Sequence, residues 1–217
     1  MGKIKIIYNP IIIEGRTISK SWWGQAWCHN LESYADYSNR INRGKSYVRA
    51  GNVIHLDIAN GTVIAKVQGS RVRPYNVKVT ISPMSEKNWV KIKSVCNNKI
   101  NSLSELVKGN FPSEFSELFM QKGCGLFPSP NEIKFECSCP DWAFMCKHVA
   151  AVLYGIGVRL DDDPTLFFKL RNIEVGELIK KSIDDRVESM LASTGKKTSR
   201  TLNETDIIKL FGDDIDI

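Results

Sequence analysis

The segment CSCPDWAFMCKH, residues 137–148, constrains the fold more than any other stretch, because it places three cysteines and one histidine within twelve positions. Zinc prefers four thiolate or imidazole ligands at the corners of a tetrahedron, with sulfur about 2.3 Å from the metal. Ligand sulfurs then lie ~3.8 Å apart, which residues i and i+2 of an extended strand can reach from one face. Cys137 and Cys139 have that spacing, so they predict a ligating strand.

The second pair, Cys146 and His148, stands where the apolar helical run VAAVLYGIGVRL begins. One residue can precede a helix while the other lies in its first turn, and the helix N-terminus favours a thiolate there. NEIKFECSC alternates like a strand, and Pro140 ends it. Strand, turn and helix start therefore predict one structural Zn²⁺ on Cys137, Cys139, Cys146 and His148. Three thiolates leave a net charge of −1, which Lys134 and Lys147 can offset.

A disulfide or a catalytic thiol fits the cluster less well than zinc does. A disulfide would leave one cysteine and the histidine unused and would need an oxidising compartment. A catalytic cysteine–histidine pair needs one thiolate and an orienting group rather than three thiols, and catalytic zinc keeps one position open. The remaining cysteines, Cys28, Cys96 and Cys124, have no such spacing and are expected to be structural.

Charge is distributed unevenly along the chain. Residues 1–150 contain 20 Lys and Arg against 11 Asp and Glu, a net charge of +9, whereas residues 151–217 contain 10 against 13. A basic face indicates an anionic partner such as nucleic acid, although a charged surface also serves solubility.

An antiparallel sheet is predicted in the N-terminal part. Ile54, Leu56 and Ile58 alternate with polar neighbours, the pair Asn60-Gly61 is typical of a hairpin turn, and Val63, Ala65 and Val67 alternate back. Tyr75, Val77, Val79 and Ile81 add a third strand. Polar residues are expected on the other face of this sheet: His55, Asp57, Lys66, Gln68, Asn76 and Lys78.

Basic residues flank these strands in NRGKSYVRAG and QGSRVRP. Arginine in a loop bounded by Gly and Pro is well placed to bind phosphates, but it is equally a way of keeping a sheet edge soluble. The candidate nucleic-acid contacts are Arg43, Lys45, Arg49, Lys66, Arg71, Arg73, Lys78, Lys134 and Lys147, with Arg40 nearby.

Helices are predicted on either side of the sheet. Trp23, Trp27, Leu31 and Tyr34 line one face of a helix that Ser19 or Ser21 would cap, and we expect its tryptophans to pack in the core against a sheet. Asp163-Pro164 is expected to start a late helix. The predicted fold is α+β, with an N-terminal module at 1–82, a helical connector at 83–124, a finger at 125–160 and a helical tail at 161–217. A flexible linker is expected near 193–200.

The N-terminus, MGKIKIIYNPIIIEG, is only weakly similar to a signal peptide, because Asn9-Pro10 interrupts the apolar stretch and no cleavage site follows. No apolar run reaches the length of a membrane span. A cytoplasmic location without membrane association is expected.

The motif C-x-C followed by C-x-H, embedded in CSCPDWAFMCKHVAAVLYGIG, resembles the SWIM zinc finger. The segments SWWGQAW, RGKSYVRAGNVIHLDI, VQGSRVRPYNVKV, GLFPSP, DDDPTLFFKLR and LFGDDIDI are similar to prokaryotic members of that family. The resemblance implies a ββα finger with zinc on Cys137, Cys139, Cys146 and His148, and binding of DNA or proteins, often beside Swi/Snf-type helicases. Met145 departs from the pattern, where proline is expected.

Taken together, these features favour a non-enzymatic zinc protein that contacts nucleic acid, more specifically DNA, as accessory of a Swi/Snf-type helicase. The rival is an adaptor that docks a helicase or another protein without touching nucleic acid. No convergent set of acid, base and nucleophile favours an enzyme. Loss of one zinc ligand is expected to unfold residues 133–158 at least.

Overall fold

A computed structural model describes residues 8–33, 38–97, 121 and 125–174, with isolated positions at 176, 180, 187, 188, 190 and 191. The chain divides into two units, residues 1–178 and 179–217, and the first contains the sheet. The predicted linker near 193–200, the terminal helix, and Tyr34, Cys124 and the stretch 98–120 lie outside the described residues.

Ten elements follow one another in the described part. They are α1 (Trp22–Glu32), α2 (Ser38–Arg49), β1 (Val53–Ala59), β2 (Thr62–Val67), β3 (Tyr75–Ile81), α3 (Glu86–Asn97), a 3₁₀ turn (Pro130–Glu132), β4 (Ile133–Cys137), α4 (Lys147–Asp162) and α5 (Leu166–Leu170). The predicted α+β class is confirmed. No helix among these described residues is long and apolar enough to cross a membrane.

The sheet is antiparallel, with its strands in the order β1-β2-β3-β4. The predicted hairpin is present: Gly61 has φ +65°, a conformation that glycine adopts without steric cost. A bulge lies between Val53 and His55. Because of it, β1 buries Val53 and Leu56, which are three residues apart, and Ile54 is only half-buried. The strict alternation predicted for β1 therefore fails at its start.

Strand β4, which comes from the cysteine region, is the fourth strand of this same sheet. It pairs with β3 through Val77 opposite Cys137 and Ile81 opposite Ile133. In the predicted finger at 125–160 the structure describes one strand, β4, and one long helix, α4, so a ββα arrangement is complete only with β3 from the N-terminal part of the chain. The cysteine region and the N-terminal strands share one hydrogen-bonded layer.

Helix α4 covers the inner face of the sheet. Every residue from His148 to Gly157 is buried, as expected for a helix enclosed on several sides. Helix α2 crosses α4 closely at Gly44, where an added Cβ would lie 2.5 Å from Cβ of Ala150. Only glycine permits this approach, so the position of α2 depends on that residue.

Helix α1 packs against α4, with Ser21 as its N-cap, one of the two predicted. Trp27 is buried, and its indole N–H donates to the carbonyl oxygen of Leu153 at 3.0 Å. Its ring contacts Phe127 and Phe167. The predicted core role of Trp27 is confirmed, but it packs on a helix and aromatic rings instead of on the sheet.

The late helix begins later than predicted. Helix α5 begins at Leu166, and Pro164 precedes its cap residue Thr165 instead of occupying the first helical position. The Asp163 carboxylate accepts from the backbone N–H of Thr165 at 3.0 Å. Asp163 and Pro164 thus form the turn before the helix.

Candidate metal centre

Four side chains converge at the end of β4. Their ligand atoms, the sulfurs of Cys137, Cys139 and Cys146 and a ring nitrogen of His148, all lie within 4.8 Å of one another. The chain thus gathers, at one point, the four residues that the sequence predicts.

The first two ligands follow from the end of β4. Cys137 is its last residue and lies on the inner face, opposite Val77. Cys139 lies in the turn after the strand, whereas the sequence predicted that Cys137 and Cys139 would both be on the strand. The hydroxyl of Ser138 accepts a hydrogen bond from the backbone N–H of Asn76 at 2.9 Å. The backbone N–H of Ser138 donates to the carbonyl oxygen of Asn76 at 3.0 Å. These bonds fix the turn between the two cysteines.

The other two ligands follow from the start of α4. Cys146 is the N-cap, with extended φ and ψ, and its sulfur accepts from the backbone N–H of Val149 at 3.5 Å. His148 is the second residue of the helix. The predicted placement of one ligand before the helix and one within its first turn is confirmed, and the helix end supplies a hydrogen bond to the sulfur.

The three thiols differ in their tendency to ionise. Hydrogen bonding from Cys137, opposed by burial and supported by His148 and the Val149 N–H, lowers the pKa of Cys146 to about 4. The hydrogen bond to Cys146, together with burial, raises the pKa of Cys137 far above its usual value, and burial raises that of Cys139. The protein alone therefore favours one thiolate, and a bound cation is needed before all three sulfurs ionise.

His148 is held between two tyrosine rings. It is 3% exposed, stacks on Tyr75 with centroids 4.3 Å apart, and meets the edge of Tyr47 at 5.5 Å. Its Nδ1 lies 3.9 Å from the sulfur of Cys137. Its Nε2 is buried without a hydrogen-bond partner in the described part of the chain and faces Gly69. Nδ1 is thus the nitrogen that points at the cysteines.

This donor set fits zinc. Three sulfurs and one imidazole nitrogen form a donor set that suits Zn²⁺, and all four atoms lie within 4.8 Å of one another, close enough to share one ion. All four positions are filled by protein, so the site is of the closed, structural kind. The residues are arranged to hold one structural Zn²⁺, as the sequence predicts. Cys28 lies apart in α1, and the side chains of Cys96 and Cys124 lie outside the described residues.

The two lysines predicted to offset the charge of the site lie in different places. Lys134 is exposed on the outer face of the sheet, opposite Thr80, whereas Cys137 is on the inner face. Lys147 is half-buried, with its ammonium 4.8 Å from the centroid of Tyr47. Only Lys147 is therefore beside the ligands. Met145, where proline was expected, is buried.

The predicted nucleic-acid residues fall into three groups in the structure. Lys66, Lys78 and Lys134 lie on the outer face of the sheet, but they pair with Asn76, Glu136 and Thr80 and not with one another. Lys78 pairs with Glu136 at 3.7 Å, and Lys66 lies over the ring of Tyr8. Arg71 and Arg73 are exposed in the segment between β2 and β3. The loop predicted at QGSRVRP is therefore present.

The third group lies on a helix, so the predicted loop at NRGKSYVRAG is wrong. Arg43, Lys45 and Arg49 are in α2, whose helical run includes Gly44, the residue that packs on α4. Lys45 pairs with Glu32 at 2.8 Å, and Arg49 donates to the carbonyl of Arg16. Arg43 is exposed. Two of these three cations already have partners within the protein.

The segment between β2 and β3 meets the metal centre, which the sequence did not reveal. The Arg71 guanidinium lies 5.5 Å from the centroid of Tyr75, the ring stacked on His148. Gly69 faces the same imidazole. Two cations, Arg71 and Lys147, therefore lie over the two tyrosines that enclose the histidine. A tyrosine at the first position of β3 was the only sequence signal.

Comparison with known proteins supports the same site. The sequence model of the SWIM zinc finger matches residues 132–155, which include all four ligands. An uncharacterized protein of Mycobacterium tuberculosis is 34% identical over 163 residues, covering 75% of this chain and 58% of that protein. The present chain thus spans little more than half the length of that relative. No solved structure matches.

Proposed function

We propose that the protein is a non-enzymatic, zinc-stabilised nucleic-acid-binding protein, from the premise that residues 132–155 match the SWIM zinc finger. DNA is the proposed ligand, and a Swi/Snf-type helicase is the proposed partner, as the family resemblance implies. Thiolate ligands persist in reducing surroundings, which favours the cytoplasm as the proposed location.

One observation carries this proposal: two cationic side chains lie over the aromatic rings that enclose the zinc-ligating histidine. Arg71 lies over Tyr75 and Lys147 over Tyr47, and both rings pack on His148. A cation over an aromatic face keeps its charge available to an outside anion while its position is restricted. Phosphates of a nucleic acid are the anions that such a surface suits.

The rival proposal is a protein–protein adaptor that docks a helicase or another partner directly. Exposed apolar side chains in the finger favour it, since Phe144 is 48% exposed next to β4. The salt dependence of binding distinguishes the two proposals. Affinity that depends on phosphate contacts falls steeply as the salt concentration rises, whereas the affinity of an apolar interface hardly changes.

The test is fluorescence anisotropy with labelled DNA over a salt series, using the zinc-loaded full chain. Changing Arg71 and Arg73 together to Ala should weaken binding to unrelated sequences alike. It should also flatten the slope of log affinity against log salt by about one to two units, since each phosphate contact contributes nearly one.

The matched control removes two exposed lysines elsewhere, Lys20 and Lys87, and should leave the slope nearly unchanged. Zinc content should be measured on every variant, because Arg71 lies close to the ligands through Tyr75. Wild-type protein that shows no salt-sensitive binding to DNA or RNA would replace this proposal with the adaptor.

A further inference from the structure

The loop between the second and third zinc ligands presents a large aromatic side chain outward. Trp142 is 81% exposed, although an indole buries more apolar surface than most side chains and is usually largely buried. Its neighbours along the chain behave differently, since Ala143 and Met145 are buried. Phe144 is 48% exposed, so Trp142 is the most exposed of the loop's apolar side chains.

The loop that carries Trp142 is fixed at both ends and in its middle. Cys139 and Cys146 are ligands of one metal site. Asp141, next to the tryptophan, pairs with Arg40 of α2 at 3.0 Å and accepts from the backbone N–H of Ala143 at 3.3 Å. Phe144 packs against Phe135 of β4, with centroids 5.0 Å apart. The indole is consequently presented by a backbone that is already ordered, so binding there costs little conformational entropy.

Two cations lie at the metal centre where this loop ends. Lys147 follows the last residue of the loop directly, and Arg71 lies across His148 from it, over Tyr75. Asp141, the acidic residue beside the tryptophan, is already paired with Arg40. A ligand that suits an outward aromatic ring on a loop that ends at a cationic metal centre combines flat apolar faces with regularly spaced negative charges.

Unpaired nucleic acid has that chemistry. Its bases expose faces that stack on aromatic side chains, and its phosphates attract lysine and arginine. In a duplex the base faces are already stacked on one another, so an indole on a protein surface cannot reach them.

We propose that Trp142 is a stacking platform for an unpaired base and that the ligand of the zinc finger is single-stranded nucleic acid, with Lys147 and Arg71 contacting its phosphates. This inference rests on the proposed nucleic-acid function and narrows it to one class of substrate.

The experiment uses the zinc-loaded full chain and two labelled probes, a twenty-nucleotide oligo-dT and a duplex of the same length. Trp142→Ala should weaken binding of oligo-dT by about 5- to 150-fold, the range that loss of one aromatic–base stack produces. Binding of the duplex should stay within about twofold. The salt slope for oligo-dT should be unchanged, because stacking releases no counterions. Trp142→Phe should recover part of the affinity.

The matched control is Val72→Ala, since Val72 is a 99% exposed apolar residue in the arginine segment and offers no ring for stacking. It should bind oligo-dT like wild type. Zinc content and circular dichroism should be equal for all variants, which separates a lost stack from a misfolded loop.

The two proposals fail in different ways. If wild type binds oligo-dT with a steep salt dependence but Trp142→Ala binds equally well, the stacking inference is overturned and nucleic-acid binding stands. Equal weakening on oligo-dT and duplex would also overturn it. If wild type binds neither probe, the proposed function itself fails, and Trp142 becomes a contact for a protein partner.

Discussion

Two neighbouring regions of this molecule are ordered by different means. Under α4, the sheet buries a continuous apolar layer, and Val63, Ala65, Val67 and Val79 have no exposed surface at all. In residues 138–146 only Ala143, Met145 and Cys146 are buried. Apolar burial is worth about 25 cal/mol per Å², so the first region holds itself together, whereas the second has too little to bury and depends on its metal ligands.

The comparison changes what the loss of zinc should do. Residues 133–158 were expected to unfold with the metal, but β4 pairs along its length with β3, and α4 is buried among β1–β3, α1 and α2. Those contacts do not involve zinc. We therefore expect metal loss to release the loop at 138–146 and to leave the sheet and most of α4 in place.

The largest effect is expected from removing a ligand. Cys146→Ala should abolish stoichiometric zinc binding, because the metal contributes ~10 kcal/mol or more in small fingers and needs its full ligand set. Elemental analysis measures the metal, and amide hydrogen exchange compares residues 138–146 with the strands. Exchange should rise by orders of magnitude in the loop and little in β2 and β3. Full zinc retention, or equal loss of protection in both regions, would contradict the comparison.

A partly buried ion pair holds β3 and β4 together at the end of the sheet away from the metal ligands. Arg171, which is 2% exposed, pairs with Glu132 just before β4 at 2.5 Å and donates to the carbonyl of Ser82 just after β3 at 3.1 Å. Arg171→Met should cost about 3 kcal/mol, because it leaves the Glu132 carboxylate and the Ser82 carbonyl without their donor. Urea unfolding of the zinc-loaded protein measures this. Lys169→Met, an exposed change in the preceding turn, is the control and should stay within about 0.5 kcal/mol.

The same pair predicts a pH dependence. Burial opposes ionisation of Glu132, but the backbone N–H of Ser129 and the Arg171 guanidinium outweigh it and lower the pKa of the carboxyl. A lowered folded pKa gives stability that is fully present above the unfolded value of about 4.3 and is lost as the pH falls through the folded pKa. Glu132→Gln should therefore lose stability relative to wild type above that pH, and the difference should shrink on acidification. Urea unfolding of both proteins over a pH series measures it.

The sequence predicted the local features of both regions and missed the contacts between elements. The ligands, the hairpin and α4 came from local patterns: fixed spacing, a turn pair and apolar periodicity. The contacts that the sequence did not predict are tertiary. Nothing near residue 71 indicates that Arg71 lies over Tyr75, the ring stacked on His148, and nothing in NRGKSYVRAG indicates that Gly44 lies in a helix and packs on Ala150. Such contacts depend on which elements meet, a property that no single segment encodes.

The crossing of α2 and α4 is the next largest expected effect. Gly44→Ala would place a Cβ 2.5 Å from that of Ala150 and 3.1 Å from the backbone of α4, so the helices must separate. The intrinsic gain in helix propensity is less than the cost of overpacking, and a net loss of about 1–2 kcal/mol is expected. Asn42→Ala, exposed on the same helix, should be neutral or stabilising. Thermal unfolding of both variants measures the difference, and a stabilised Gly44→Ala protein would show that α2 is not tightly seated.

The smallest effect is expected at Cys28, which tests whether the apolar region is independent of the metal. This cysteine lies where α1 approaches α4, and a Cβ on Gly157 would be 2.6 Å from its sulfur. Burial, followed by the carboxylates of Glu32 and Asp161, raises its pKa to about 12, so the thiol stays protonated and is a poor nucleophile and a poor ligand. Cys28→Ala should cost about 1 kcal/mol in urea unfolding and leave zinc content unchanged. In wild type, a thiol reagent at neutral pH should modify Cys28 only as the protein unfolds. Loss of zinc from Cys28→Ala would mean that the packing of α1 on α4 holds the ligands in place, and the two regions would then be ordered together.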